Sequence, residues 1–319
     1  MATKEKKDHA GDAMRQTAEA LCEMIEKGMG DPDAWKKSWR SLTVALGGAV
    51  NARTARPYTG GNAWRLALLE MMGTHVGPWA TYKQWGELGA KVKKDSKATW
   101  ILVPKTVKRE TTEGERQRWE DAGRTAPDTV SRTFFGAAPL FAASQVEGYV
   151  APEGVDIMPP TTTAAHQWTA DVVKAGHVSL LPGEPAARPA AGIVYMPPAE
   201  NFTSDAAYLC TFWHELTHWT APKVGREMKA KRWGDREYAA EELVAEMGAA
   251  VIAARHGLSA EPRPDHLHYL AHWYQLVKDD PSRLWSAGKL AQEAAAHLFD
   301  LVPLDSGAEV EAEQMAVAA

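Results

Sequence analysis

Cysteine is almost absent: Cys22 and Cys210 are the only two in 319 residues. A pair so far apart offers neither a disulfide framework nor a Cys-x-x-Cys metal site, so any metal must be held by other side chains. Long apolar runs are missing as well. No stretch approaches eighteen apolar residues, and the charged start Met1–Ala10 leads into no apolar segment. Neither a transmembrane helix nor a secretory leader is therefore expected, and the chain reads as cytoplasmic with no membrane partner. What is present is ordinary globular material, 45% apolar and 24% charged, long enough for two cores and hence two domains.

The net charge of −5 conceals an asymmetry. Residues 1–150 hold 23 Lys and Arg against 18 Asp and Glu, whereas residues 151–319 hold 13 against 23. Between Trp35 and Arg109 fourteen basic residues face only Glu70, Glu87 and Asp95, a net of +11. An excess of that size in an acidic protein points to a polyanion-binding face.

The stretch Phe212–Thr220 contains His214-Glu215-Leu216-Thr217-His218. On a helix, residues four apart share a face, so both imidazoles project toward one point, the bite a zinc ion needs. Glu215 lies about 100° further round, placed to act as a general base on water. The motif is short enough to arise by chance, and a plain helix with two satisfied histidines is the bland reading. A third ligand decides the matter. The helix expected over Arg236–His256, with Asp235 as its N-cap and Gly257 as its stop, carries acidic residues among small apolar ones, which is costly unless they are paired or metal-bound. Glu242 is assigned as third ligand and Glu246 as the carboxylate that orients a ligand histidine. Glu241 competes for the ligand position. Tyr238, His256, His268 and His272 are unranked candidates for stabilising an oxyanion.

Along the chain, a helix is expected over Asp12–Lys27, and Trp35, Trp39 and Leu42 then recur at helical spacing among Lys36, Lys37 and Arg40. Aromatics between cations suit single-stranded nucleic acid, because bases stack on rings while Lys and Arg neutralise phosphates; for any single Trp, burial in a core is the alternative. The loop Asn51–Asn62 presents Arg53, Arg56, Tyr58 and Asn62 beside a helix N-terminus, suited to a phosphodiester backbone. Trp79, Tyr82 and Lys83 follow on a short helical segment. Strands are expected at Lys91–Lys93 and Thr99–Pro104 around the basic turn Lys94–Lys97, and Lys91, Lys93 and Lys94 extend the basic face. Residues 108–128 read as an exposed insertion. The Pro- and Thr-rich stretch 151–165 is placed as a linker between a nucleic-acid-binding domain (1–150) and a metal domain (166–304), with a mobile acidic tail at 305–319. A strand at Ile193–Met196 is expected to offer a free edge to an extended substrate.

These features together resemble the ArdC-type antirestriction proteins of plasmids and phages, whose N-terminal part is similar to that of TraC-like plasmid primases. The likeness rests on the Asn51–Leu66 loop, on Trp79-Ala-Thr-Tyr-Lys-Gln84, on Gln145-Val-Glu-Gly148, on His214–Thr220 with Tyr238-Ala-Ala-Glu-Glu-Leu-Val-Ala-Glu246, and on Tyr269-Leu-Ala-His-Trp273 with the residues after it. Asp95 stands where a glycine is usual, and Ala142 or Ala143 where an asparagine is common. The resemblance implies an α+β fold with an N-terminal domain that binds single-stranded DNA and a C-terminal zincin-like metallopeptidase domain with helices around a small sheet. It further implies a Zn2+ cofactor, protection of incoming mobile DNA from restriction, and host DNA-bound proteins as substrates. The alternative is a non-catalytic DNA-coating accessory protein whose metal site is structural.

Overall fold

The computed structural model of the chain describes residues 8–151, 161–227, 236–263 and 266–304. Its N-terminal half opens with three helices, each started by local chemistry. The Asp8 carboxylate accepts the Gly11 N–H ahead of α1 (His9–Gly30), and that of Asp31 accepts the Asp33 and Ala34 N–H groups ahead of α2 (Pro32–Gly48), with proline in the first turn. In α3 (Gly60–Met71), Gly61 lies so near the Trp285 ring that a Cβ would fall 2.0 Å from it.

Then come β1 (Trp79–Ala80), α4 (Tyr82–Glu87), β2 (Lys91–Val92), β3 (Thr99–Glu110), α5 (Glu113–Asp121), β4 (Thr129–Ala142) and β5 (Val146–Glu147). A reciprocal Thr81–Gln84 capping box starts α4. One sheet has the order β1-β4-β3, and β2 pairs separately with β5, so β2 and β3 are not partners across the basic turn. Within that turn Asp95 adopts φ 63°, the left-handed region that glycine enters most easily. The β3–β4 ladder runs from Thr99↔Leu140 to Glu110↔Thr129. Ile101, Leu102 and Leu140 anchor its inner end, while Lys105, Val107, Phe134 and Phe135 are exposed further out. Residues 108–128 thus belong to the outer part of a hairpin arm with α5 at its tip.

The C-terminal half comprises α6 (Thr162–Ala175), β6 (Ser179–Pro182), β7 (Ala186–Arg188), β8 (Ile193–Met196), α7 (Asp205–Trp219), α8 (Arg236–Arg255), α9 (His266–Asp279) and α10 (Ser282–Leu301). Its sheet has the order β6-β8-β7. This corrects one expectation: β8, expected as the free edge, is the central strand, parallel to β6 and antiparallel to β7. Both of its hydrogen-bonding edges are occupied, and Val194 and Met196 are buried. The terminal strand packed on α7 is β7.

The expected linker also needs adjustment. Residues 152–160 lie outside the described residues, but Thr161 caps α6 and the helix is under way from Thr162, four residues before His166. Asp235 and the 305–319 tail also lie outside them. Instead of two separate cores, one large core joins Trp35, Trp39 and Trp64 of the first half to Trp213, Trp219 and Trp273 of the second, with two smaller clusters beneath the N-terminal sheets. The apolar faces of α1–α3 cover α8–α10, because neither set can bury its faces alone. Among the described residues, no helix is long and apolar enough to cross a membrane.

Candidate metal centre

The Ser204 hydroxyl accepts the Ala207 N–H and starts α7, which is buried continuously from Leu209 to Trp219. Alongside runs α8, held close because Gly248 has no Cβ: one built there would lie 2.6 Å from the Thr217 side chain. That approach sets the glutamates of α8 against the histidines of α7.

His214 Nε2 and His218 Nε2 stand 3.1 Å apart, and the Glu242 carboxylate lies 3.5 Å from the first and 3.6 Å from the second. Among the described residues these three form the one group of converging metal-type donors. An ion about 2.0–2.1 Å from each of three tetrahedrally placed donors requires them roughly 3.3 Å apart. The donors fit.

Each imidazole is oriented from behind by its own carboxylate. His214 Nδ1 lies 2.8 Å from Glu246 Oε1, and His218 Nδ1 lies 3.0 Å from Glu241 Oε1. Glu241, the competitor for the ligand position, thus backs a histidine, and Arg226 holds it at 3.1 Å while donating at 2.7 Å to the Thr217 carbonyl. Arg263 reaches Glu215 at 3.5 Å and Glu246 at 3.7 Å.

The electrostatics call for a cation. Glu215, Glu241, Glu242 and Glu246 are all buried, and the guanidinium groups among them are Arg226 and Arg263. Among the described residues, four carboxylates against two guanidiniums leave a formal −2, the charge a divalent ion would neutralise. Burial would depress His218, but Glu241 and Glu242 outweigh it and push the ring up to about 10. Burial would likewise raise Glu242, yet His214 and His218 hold it well below the usual carboxylate range.

Of the oxyanion candidates, Tyr238 stands beside Glu242, with its phenol 3.3 Å from that of Tyr269 and its pKa raised first by burial. His256 is elsewhere, stacked on Trp213 on the far side of α7, while His268 and His272 lie on the exposed side of α9. Sequence reasoning missed Arg226, Arg263, His266 and Tyr269. They come from loops and a helix start with no fixed spacing to the motif.

The nucleic-acid candidates divide. Trp39 and Trp79 are buried and unavailable to a base: Trp39 packs between Trp35 and Trp64, and Trp79 is fully enclosed. This corrects both assignments; Trp39, set between Lys37 and Arg40 in the sequence, and Trp79 both belong to the core. Asn62 is committed to the backbone, donating to the Leu102 carbonyl at 2.8 Å and accepting its N–H at 2.9 Å. Asn51 shapes its loop by accepting from the Arg53 and Thr54 N–H groups and donating to the Tyr58 hydroxyl, so Asn51 and Tyr58 are half-buried scaffold. Arg53, Arg56, Tyr82 and Lys83 are exposed together around α4, with Arg53 and Lys83 sharing Glu87. Lys91, Lys93 and Lys94 are exposed on β2 and the basic turn after it. Lys36 and Arg40 are exposed on α2, where Arg40 pairs with Glu261 of the other half.

Comparison with known proteins bears on both halves. Residues 11–135 match the family described as the N-terminal domain of anti-restriction factor ArdC, and residues 169–290 match that described as zincin-like metallopeptidase. The chain is 29% identical over 294 residues to the uncharacterized protein y4eC of Sinorhizobium fredii, covering 89% of this chain and 90% of that one. It is 28% identical to the DNA primase TraC of Escherichia coli, covering 87% of this chain but spanning only 26% of TraC. The metal-free crystal structure of the antirestriction protein ArdC from plasmid R388 aligns with a TM-score of 0.63 at 25% identity, over 88% of this chain and 97% of that one. The Mn(II)-bound structure of the same protein also aligns at 0.63, with 24% identity, over 90% and 99%. In the order of its domains and in its fold this chain is similar to ArdC, a match to the ArdC N-terminal domain being followed by a match to zincin-like metallopeptidase.

Proposed function

We propose that the protein is an antirestriction factor of a mobile element that binds single-stranded DNA through its N-terminal half and hydrolyses peptide bonds, of DNA-associated proteins, at a zinc centre held by His214, His218 and Glu242. The observation that carries this reading is the convergence of three buried donors, each histidine backed by a carboxylate, with Glu215 beside them. Bound there, a zinc ion supplies Lewis acidity that polarises a scissile carbonyl and acidifies water. Glu215 accepts a proton from the attacking water and returns it to the leaving amine, with Arg263 fixing its carboxylate. Tyr238, beside Glu242, is the residue we assign to donate to the carbonyl oxygen as charge develops. An extended substrate would pair along β7, the terminal strand over α7.

Among the described residues three donors converge, which favours this reading over the accessory-protein alternative, since structural zinc sites usually close with four. For DNA, the exposed cations around α4 and β2 supply phosphate contacts, and exposed Tyr82, Phe134 and Phe135 supply rings for bases. The deciding experiment incubates wild-type and Glu215→Gln protein with host lysate, with and without single-stranded DNA, and maps new termini by mass spectrometry. Termini produced by wild type alone are expected; equal cleavage by Glu215→Gln would sink the assignment.

A further inference from the structure

Glu246 touches more than His214. Its other oxygen, Oε2, meets Nε2 of His266, at the start of α9, and both side chains are buried. The second nitrogen of His266, Nδ1, accepts a 3.3 Å hydrogen bond from the indole N–H of Trp35 on α2. Trp39 and Trp273 stand edge-on to the same ring at 5.5 and 5.4 Å.

The chemistry of these groups gives the chain of contacts a direction. An indole nitrogen only donates, so the His266 nitrogen facing it carries a lone pair and the proton sits on Nε2, aimed at Glu246. Glu246 then has one oxygen against His266 Nε2 and the other 2.8 Å from His214 Nδ1, so a proton on each of those nitrogens is favoured. His214 is left as the tautomer whose Nε2 lone pair faces His218 and Glu242.

We propose that Trp35 and His266 are positioning residues of the metal centre, acting through Glu246 to fix the tautomer and orientation of His214. Helix α2 is then a working part of a site whose ligands all lie in the other half of the chain. The proposal rests on His214 being a metal ligand. Packing alone does not explain the arrangement, because a phenylalanine at 35 would fill the core without burying a polar atom that needs a partner.

The test is Trp35→Phe in the full chain, with zinc affinity read by competition against a chromophoric chelator. A loss of about 10-fold is expected, the lower end of what partners behind a ligand contribute. Trp168→Phe is the control: it loses a 2.8 Å indole bond to the Val302 carbonyl in the same core, a bond that does not point toward Glu246 or His214. Its zinc affinity is expected to equal wild type, while thermal melts of chelated protein report the packing loss in both variants. Equal zinc affinity in wild type and Trp35→Phe would overturn the relay and leave the centre standing. Wild type that binds neither Zn(II) nor Mn(II) would overturn the centre itself. Should Trp35→Phe fail to fold, nitrogen-15 NMR of wild-type histidines decides: the proton on His266 Nε2 supports the relay, and a proton on Nδ1 overturns it.

Discussion

Glu241, Glu242 and Glu246 lie within about a turn and a half of one helix, yet only Glu242 sends its carboxylate between the two imidazole Nε2 atoms. The difference is angular: Glu241 falls behind His218 and Glu246 behind His214. Glu242→Gln removes a charged donor and is expected to lower metal affinity by about 100-fold or more, whereas Glu241→Gln keeps all three donors and is expected to cost about 10-fold. Chelator competition separates the two, and the reverse order would make Glu241 the ligand. A second prediction concerns His256, which burial first and Arg255 second push down to about 4. Its depressed pKa means the unfolded chain binds the proton more readily. The stability held by the neutral ring is therefore complete above about pH 6.5 and lost as pH falls toward 4. His256→Phe keeps the stack on Trp213 and is expected to flatten the decline in urea midpoint between pH 7 and 5; an unchanged decline would show that His256 does not titrate there.

Between elements, the site depends on how closely α7 and α8 approach. Gly248 against Thr217 sets that distance, and Thr217 is itself fixed by its hydroxyl bond to the Trp213 carbonyl. Gly248→Ala drives a methyl into that contact. It is expected to destabilise the fold by about 1–3 kcal/mol and also to weaken metal binding, because the glutamates and histidines ride on opposite sides of the seam. A melt together with a metal titration checks both effects, and a variant with wild-type metal affinity would show that the two helices adjust independently. The second sheet holds a parallel lesson. Ile193–Met196 was legible as a strand from its apolar run, but an apolar run records burial and not which neighbours a strand has. The expected free edge therefore belongs to β7, three residues long and too short to stand out.

For the molecule as a whole, the shared core ties the halves together. Trp35 and Trp39 sit among residues of α8 and α9, so the ArdC-type N-terminal domain and the zincin-like domain bury one another's apolar faces. Thermal unfolding is expected as a single cooperative transition rather than two. Removing the metal with a chelator is expected to lower its midpoint, by an amount that grows with the free metal concentration used for comparison. Calorimetry with and without EDTA gives both results; two resolved transitions would show that the halves fold separately.

The sequence by itself determined what depends on local spacing. His214 and His218 share a face because residues four apart on a helix must, and the acidic residues of α8 were conspicuous because their neighbours are small and apolar. The basic excess from Trp35 to Arg109 was equally plain, since charge can be counted without coordinates. Tertiary structure alone decided which way side chains point and what lies across from them. It buried Trp39 and Trp79, since an indole in a basic stretch reads the same whether it faces a base or a core. It also brought Arg226, Arg263 and His266 to the centre, and Trp35 from 179 positions before its first ligand. Those contacts run between elements that meet only when the apolar faces of both halves close on each other, and no periodicity in the chain encodes that meeting.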